Sequence, residues 1–231
     1  MSAAIRDYAL VGDCRSAALI SRGGSLDWLC WPQFDSPSLF AAILDEERGG
    51  RFAIAPAGDF RSERRYLGDT NVLRTTFHAA EGELSLTDFM PVLTPEDARR
   101  RLHPEHELQR IVRCERGEVE VEIVFDPRPD YGRRRPALRR MGKLGLRAKV
   151  PGGLLTLCTD APLPPEGRAR VRLRGGDTLH FALAYSTEGP AVLGVPVNTA
   201  PTRLTPGGGE EPVGIDQVTL PPLSQISRVC W

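Results

Sequence analysis

Glu118-Val119-Glu120-Val121-Glu122-Ile123-Val124-Phe125, the run EVEVEIVF at 118–125, alternates carboxylates with branched apolar side chains. In an extended chain successive side chains point to opposite faces. Glu118, Glu120 and Glu122 therefore share one face, and Val119, Val121 and Ile123 share the other. One face is wet and the other is buried, which calls for an antiparallel sheet packed on a second layer. A parallel sheet, covered on both faces, would show a continuous apolar run instead.

The same texture extends in both directions. YALVGD at 8–13 and AALISR at 17–22 flank a turn, and LDWLCW at 26–31 follows the turn Arg22-Gly23-Gly24-Ser25. Further strand candidates are RFAIAP, TNVLRTTFHA, GELSLTDFMPV, LQRIVRCERG, LGLRAKV, LLTLCTD, ARVRLRG, DTLHFALAYS and QVTLPP. Gly, Pro, Asp or Asn stands at almost every boundary between them. No strand–helix–strand rhythm appears. The fold class is all-β, a large antiparallel β-sandwich with one or two short helices. The first helix is expected over 38–46, where Leu39, Phe40, Ile43 and Leu44 recur at helical spacing and Gly49-Gly50 would stop it. The second is expected over 94–102, capped by Thr94 and cut short by Pro104.

The chain has 231 residues, enough for one large sandwich. Residues 1–193 read as that domain. Residues 194–231 are rich in Pro and Gly and read as a linker or tail, with one last strand near 215–222. Lys plus Arg and Asp plus Glu are balanced at 30 each, so no global field favours nucleic acid or an anionic membrane. Five cysteines, at 14, 30, 114, 158 and 230, include no C-x-x-C pair. Reduced thiols in a cytoplasmic protein are expected, rather than a zinc site or a disulfide framework. Arg6 and Asp7 interrupt the stretch where a signal peptide needs apolar residues, and no run of 18 apolar residues exists.

No strong catalytic constellation is visible. G-x-S-x-G, a phosphate-binding Gly loop, G-x-G-x-x-G and H-E-x-x-H are all missing. His103 and His106 flank Pro104, which breaks the helix that would align them on a metal. The reading is therefore no catalytic residue, no metal and no cofactor. Basic residues crowd 132–143, GRRRPALRRMGK, and read as an exposed hairpin or loop, or as a surface for an anionic partner.

Chemistry is most concentrated in GGSLDWLCWPQFDSPSLF, residues 23–40. Aromatic rings beside carboxylate and amide groups suit a saccharide surface. Trp28, between Leu26 and Cys30, reads as core. Trp31 precedes Pro32, which cannot donate to a sheet ladder, so the chain should leave the sheet there. The loop would present Trp31, Gln33, Phe34, Asp35 and Ser36 at one end of the sandwich, as candidates for a substrate or a domain interface. An apolar patch of Trp31, Phe34 and Phe40 would favour self-association if uncovered. Alternatively Asp35 with Ser36-Pro37 merely starts the short helix.

This segment also carries a resemblance. Arg6 to Asp13, Ala17 to Leu19, Gly24 to Pro32 and Phe34 to Pro37 resemble the opening of bacterial family 15 glycoside hydrolases, the glucoamylase-like and trehalase-like enzymes. The resemblance continues through Arg65-Tyr66, Gly68 to Thr70, Val72-Leu73, Asp88 to Pro91, Arg110 to Arg113, Arg116-Gly117 and Asp130 to Gly132, covering about 5–190. It implies an N-terminal β-sandwich followed by an (α/α)6 barrel that holds two catalytic glutamates. An inverting pair needs carboxyl groups about 6.5–9.5 Å apart. None is carried over to a residue of this chain, and the barrel is absent from it. Gln33 stands where the family pattern has arginine, a neutral amide in place of a charged fork. The expectation is a non-catalytic domain that supports the barrel, its partner, and lends a loop to the cleft. The alternative is a stand-alone carbohydrate-binding or interaction module for a glucoside or oligosaccharide.

Overall fold

The computed structural model describes residues 4–91, 106–142 and 145–187, with two short strands beyond, at Thr202–Leu204 and Glu210–Pro212. Fourteen strands precede those two: β1 (Tyr8–Gly12), β2 (Ala17–Ser21), β3 (Ser25–Cys30), β4 (Ser38–Phe40), β5 (Arg51–Pro56), β6 (Phe60–Tyr66), β7 (Leu73–Ala79), β8 (Gly82–Phe89), β9 (His106–Asp126), β10 (Arg139–Arg140), β11 (Gly145–Val150), β12 (Gly153–Thr159), β13 (Arg168–Arg174) and β14 (Thr178–Ser186). Every pairing among them is antiparallel.

One strand organises the whole. β9 is 21 residues long and belongs to two sheets. Its first half lies between β8 and β14 in sheet B, whose order is β6-β7-β8-β9-β14-β12-β11-β10. Its second half lies between β5 and β13 in sheet A, ordered β1-β2-β3-β5-β9-β13, with β4 added on β3. The change of sheet falls at Gly117, where φ is +76°. A Cβ there would sit 2.1 Å from the Glu81 carbonyl oxygen, so the corner requires glycine.

Past that corner, EVEVEIVF behaves as its alternation demands. Val119, Val121 and Ile123 are buried. The glutamates face outward against β13, in the register Glu118↔Arg174, Glu120↔Arg172 and Glu122↔Arg170. Arg174 Nε donates to Glu118 at 2.8 Å, and Arg170 lies 3.2 Å from Glu122. These exposed pairs each contribute little to stability. Their second effect is to charge the edge strand β13 against unwanted pairing.

The inner faces of the two sheets meet in one apolar core. Phe52 on β5 packs edge-to-face on Phe125 of β9, at 5.3 Å between centroids, and on Phe181 of β14 in the other sheet, at 5.8 Å. Arg110 is fully buried in the same core. Its Nε donates to Asp88 Oδ1 at 2.7 Å, and its other nitrogens donate to the carbonyls of Gly24, at 2.8 Å, and Phe52. The guanidinium also lies 4.7 Å from the Phe52 ring centroid. A side chain rooted in sheet B thus fastens the backbone of sheet A.

Two expectations about elements need correction. No α-helix occupies 38–46. Ser38, Leu39 and Phe40 form β4, all buried, and the chain then turns through 41–48. Helical spacing and a short buried strand cannot be told apart over so few apolar residues, and pairing with Cys30 and Leu29 decides for the strand. Within the region read as linker or tail, Thr202–Leu204 pairs with Glu210–Pro212. The helix expected over 94–102 and the strand expected near 215–222 lie outside the described residues. Cys30, Cys114 and Cys158 are buried and outside any disulfide. Cys14 is disulfide-bonded, which departs from the expectation of reduced cysteines throughout.

Candidate functional site

β3 ends at Cys30, and its alternation is broken twice. Register shifts fall at Leu19/Ile20 against β2 and at Leu29/Cys30 against β4. The shifts exchange the expected places of the two tryptophans. Trp28 is only half-buried, 6.3 Å from the ring of Tyr131. Trp31 is 2% exposed. Its indole Nε1 donates to Ser16 Oγ at 2.9 Å, and the Ser16 hydroxyl and backbone N–H both donate to Asp13 Oδ1. The ring lies 6.2 Å from His106, which lies 6.1 Å from Tyr185. Trp31 is therefore a floor rather than a projecting contact.

From this floor the chain leaves the sheet through a cis Trp31-Pro32 bond. The next four residues close on themselves: the Gln33 N–H donates to Ser36 Oγ and the Ser36 N–H to the Gln33 carbonyl, both at 3.1 Å. Gln33, Phe34 and Asp35 are exposed at the tip, Phe34 to 75%, while Ser36 is half-buried. Phe40 is fully buried and takes no part in an exposed patch. The structure thus brings Gln33, Phe34 and Asp35 together at the surface and separates them from Trp31 and Phe40.

A second segment faces this loop. The Asp130 N–H donates to the Ser38 carbonyl at 2.9 Å, and the Tyr131 N–H to Ser38 Oγ at 3.1 Å. Asp130 and Tyr131 both adopt left-handed backbone, with φ of 59° and 56°. Two successive non-glycine residues in that region are costly and persist only when surroundings hold them. Between the two segments opens a cleft of about 420 Å³, walled chiefly by Trp31, Pro32, Pro37, Leu39, Pro129 and Tyr185. Thr187, just past the end of β14, completes its rim.

The cleft is poor in reactive groups. Asp130 is the one carboxylate among its described lining residues, whereas a glycosidase acid/base pair takes two. Burial, reinforced by Asp35, pushes the nearby Cys30 thiol up to about 11, and burial raises the Tyr185 phenol. Neither is an ionised nucleophile near neutral pH. Among the described residues no three His, Cys, Asp or Glu side chains converge on a metal position. Apolar walls with a few polar atoms suit the binding of a partner group. Sequence reasoning missed Ser16, His106, Asp130, Tyr131 and Tyr185 as parts of this site. Alternation says nothing about which loops meet at one end of a sandwich. Only the resemblance touched Asp130-Tyr131-Gly132.

Several segments that carried the resemblance hold the fold together. Asp88 and Arg110 form the buried pair, Gly24 accepts from it, and Tyr8 donates to the buried Asp27 at 2.9 Å. This arrangement defines a trehalase-like amino-terminal sandwich. The chain belongs to the family of trehalase-like N-terminal domains, whose pattern matches residues 1–179. It is similar to the trehalase of Mycolicibacterium smegmatis, 37% identical over 205 residues that make up 79% of this chain and 30% of that protein. The trehalase of Mycobacterium tuberculosis is 34% identical over 207 residues, 80% of this chain and 30% of its own. Trehalase 1 of Sulfolobus acidocaldarius is 34% identical over 184 residues, with shares of 78% and 30%. The matched part of the chain thus spans less than a third of these relatives' length.

Proposed function

We propose that the chain is the non-catalytic N-terminal domain of a trehalose-hydrolysing glycosidase, and that the cleft end of the sandwich is where it meets the catalytic part. The carrying observation is the cleft itself: apolar, nearly free of ionisable groups, and opening where the chain leaves β14 at Thr187. Exposed Phe34, with Gln33, Asp35 and Ser36 beside it, forms the outer rim of that interface. On this reading residues 1–193 are the domain and the Pro/Gly-rich 194–231 a linker or tail. The relatives' names supply trehalose as the substrate of the whole enzyme. A cytoplasmic site of action belongs to this reading, supported by the buried cysteines outside any disulfide at 30, 114 and 158.

A second reading draws on exposed Phe34 and Tyr131. Rings standing out of a rigid frame can stack on sugar faces, so a carbohydrate-binding module is the alternative. Trehalose and maltooligosaccharides, offered to the purified chain, separate the two. Neither turnover nor binding is expected. Binding without turnover would favour the module. Turnover abolished by substituting a single Asp or Glu of this chain would overturn both readings.

A further inference from the structure

The outer face of sheet B carries a second concavity, remote in sequence from the loop at 31–36. It holds about 280 Å³ over strands β6, β7, β8 and the first half of β9. Arg65, Arg74 and Arg113 line it, with Glu83, Glu115 and Ser85. Its charges are unevenly matched. Glu83 already faces His78 at 3.1 Å and Arg116 at 3.2 Å. Glu115 accepts from Ser85 Oγ at 2.5 Å and lies 3.6 Å from Arg113.

Arg65 and Arg74 are left over. They stand directly opposite one another across β6 and β7. Like charges in that position destabilise a sheet. Neither guanidinium forms a hydrogen bond or an ion pair among the described residues, and Arg74 Nε is buried without a partner. A buried, unpaired donor on a charged group is costly. Two facing guanidinium groups with spare donors in a concave surface match one kind of guest, an oxyanion held by charge-assisted hydrogen bonds. The groove extends beyond them along hydroxyls and carboxylates, groups of the kind that take sugar hydroxyls. We propose that this groove binds a phosphorylated sugar, its phosphate between Arg65 and Arg74 and its hydroxyls toward Ser85, Glu83 and Glu115. The site is separate from the cleft and does not rest on the function assigned to it.

Titration of the full 231-residue chain with glucose 6-phosphate tests this, followed by calorimetry or amide chemical shifts. Saturable binding is expected, weakened at least about tenfold by Arg74→Met and by Arg65→Met, in line with losing a charged hydrogen bond. Raising salt from about 0.1 to 0.5 M should weaken it several-fold. Glucose should not bind, and inorganic phosphate should bind less tightly. Arg65 is exposed on an edge strand, so Arg65→Met should keep the wild-type unfolding midpoint and remain informative if Arg74→Met folds poorly. Absence of saturable binding, or wild-type affinity in both variants, would overturn the site. Inorganic phosphate binding as tightly as the sugar phosphate would reduce it to a bare anion site and overturn the sugar.

Discussion

Arg110 and Asp88 show how a charge can be kept in an apolar core. Both side chains are inaccessible to water, and the guanidinium has donors directed at a carboxylate and two carbonyls. Removing one partner would strand the other. Arg110→Met should cost about 3–5 kcal/mol, the usual penalty for an uncompensated buried charge, read as a lower urea midpoint with unchanged slope. A double variant, Asp88→Leu with Arg110→Met, should recover part of that loss. If the single and double variants were equally unstable, the lost carbonyl contacts rather than the stranded carboxylate would dominate. Nothing in the local sequence announces this pair: Asp88 sits in GELSLTDF and Arg110 in LQRIVRC, each at an inward position where alternation calls for an apolar residue. The two tryptophans exchange their expected places for a related reason. Alternation is a reliable guide only while register is unbroken, and β3 is irregular against both β2 and β4.

At the scale of elements, the Glu118–Arg174 end of the outer ladder gives a pH dependence. The hydrogen bond from Arg174, with the charges of Arg174 and Arg172, holds the Glu118 carboxyl below its ordinary range. A carboxyl depressed in the folded state contributes stability that is present above its unfolded pKa and lost as pH falls through the folded one. Glu118→Gln should therefore flatten the loss of thermal stability below about pH 4.5, and high salt should shrink the difference. Melting curves of the two proteins between about pH 3 and 6 provide the check; parallel curves would remove Glu118 from the account. The complementary runs EVEVE and RVRLR made both strands legible in the sequence, because each alternates cleanly. What they could not disclose is that LQRIVRCERG and EVEVEIVFDP are one strand. Gly117 looks like a turn between two elements and is instead a bend within one. Gly117→Ala would force a Cβ against Glu81 in left-handed backbone. A loss of more than about 2 kcal/mol is expected from strain and clash together, measured by denaturant unfolding.

For the whole molecule, the loop at 33–36 is the surface proposed to meet others. Phe34 is the most exposed aromatic of the described residues, on the loop whose Pro32 and Ser36 help to line the apolar cleft. Concentration-dependent self-association is expected of the purified chain. Phe34→Ser should reduce it in sedimentation velocity while shifting stability by no more than about 0.5 kcal/mol, as for surface changes generally. Association unaltered by the substitution would place the sticky surface elsewhere. The position of this loop was legible from Trp31-Pro32. The wall opposite was not, since Asp130 and Tyr131 lie about a hundred residues away and are held there by hydrogen bonds to Ser38.

Because β9 is a full member of both sheets, neither sheet can come apart while the other stays intact. In native-state hydrogen exchange, amides are expected to divide by whether a local opening can free them. Those of Leu108 to Val112 and of Val121 to Phe125, on either side of the corner, should lack any such opening. They should exchange at one common rate set by global unfolding, and denaturant should raise that rate with the slope of the complete transition. Edge strands β1, β6 and β10 should exchange faster and with shallower slopes. Two distinct slow rates on the two sides of Gly117 would mean that the sheets open separately, and that the shared strand does not bind them into one cooperative unit.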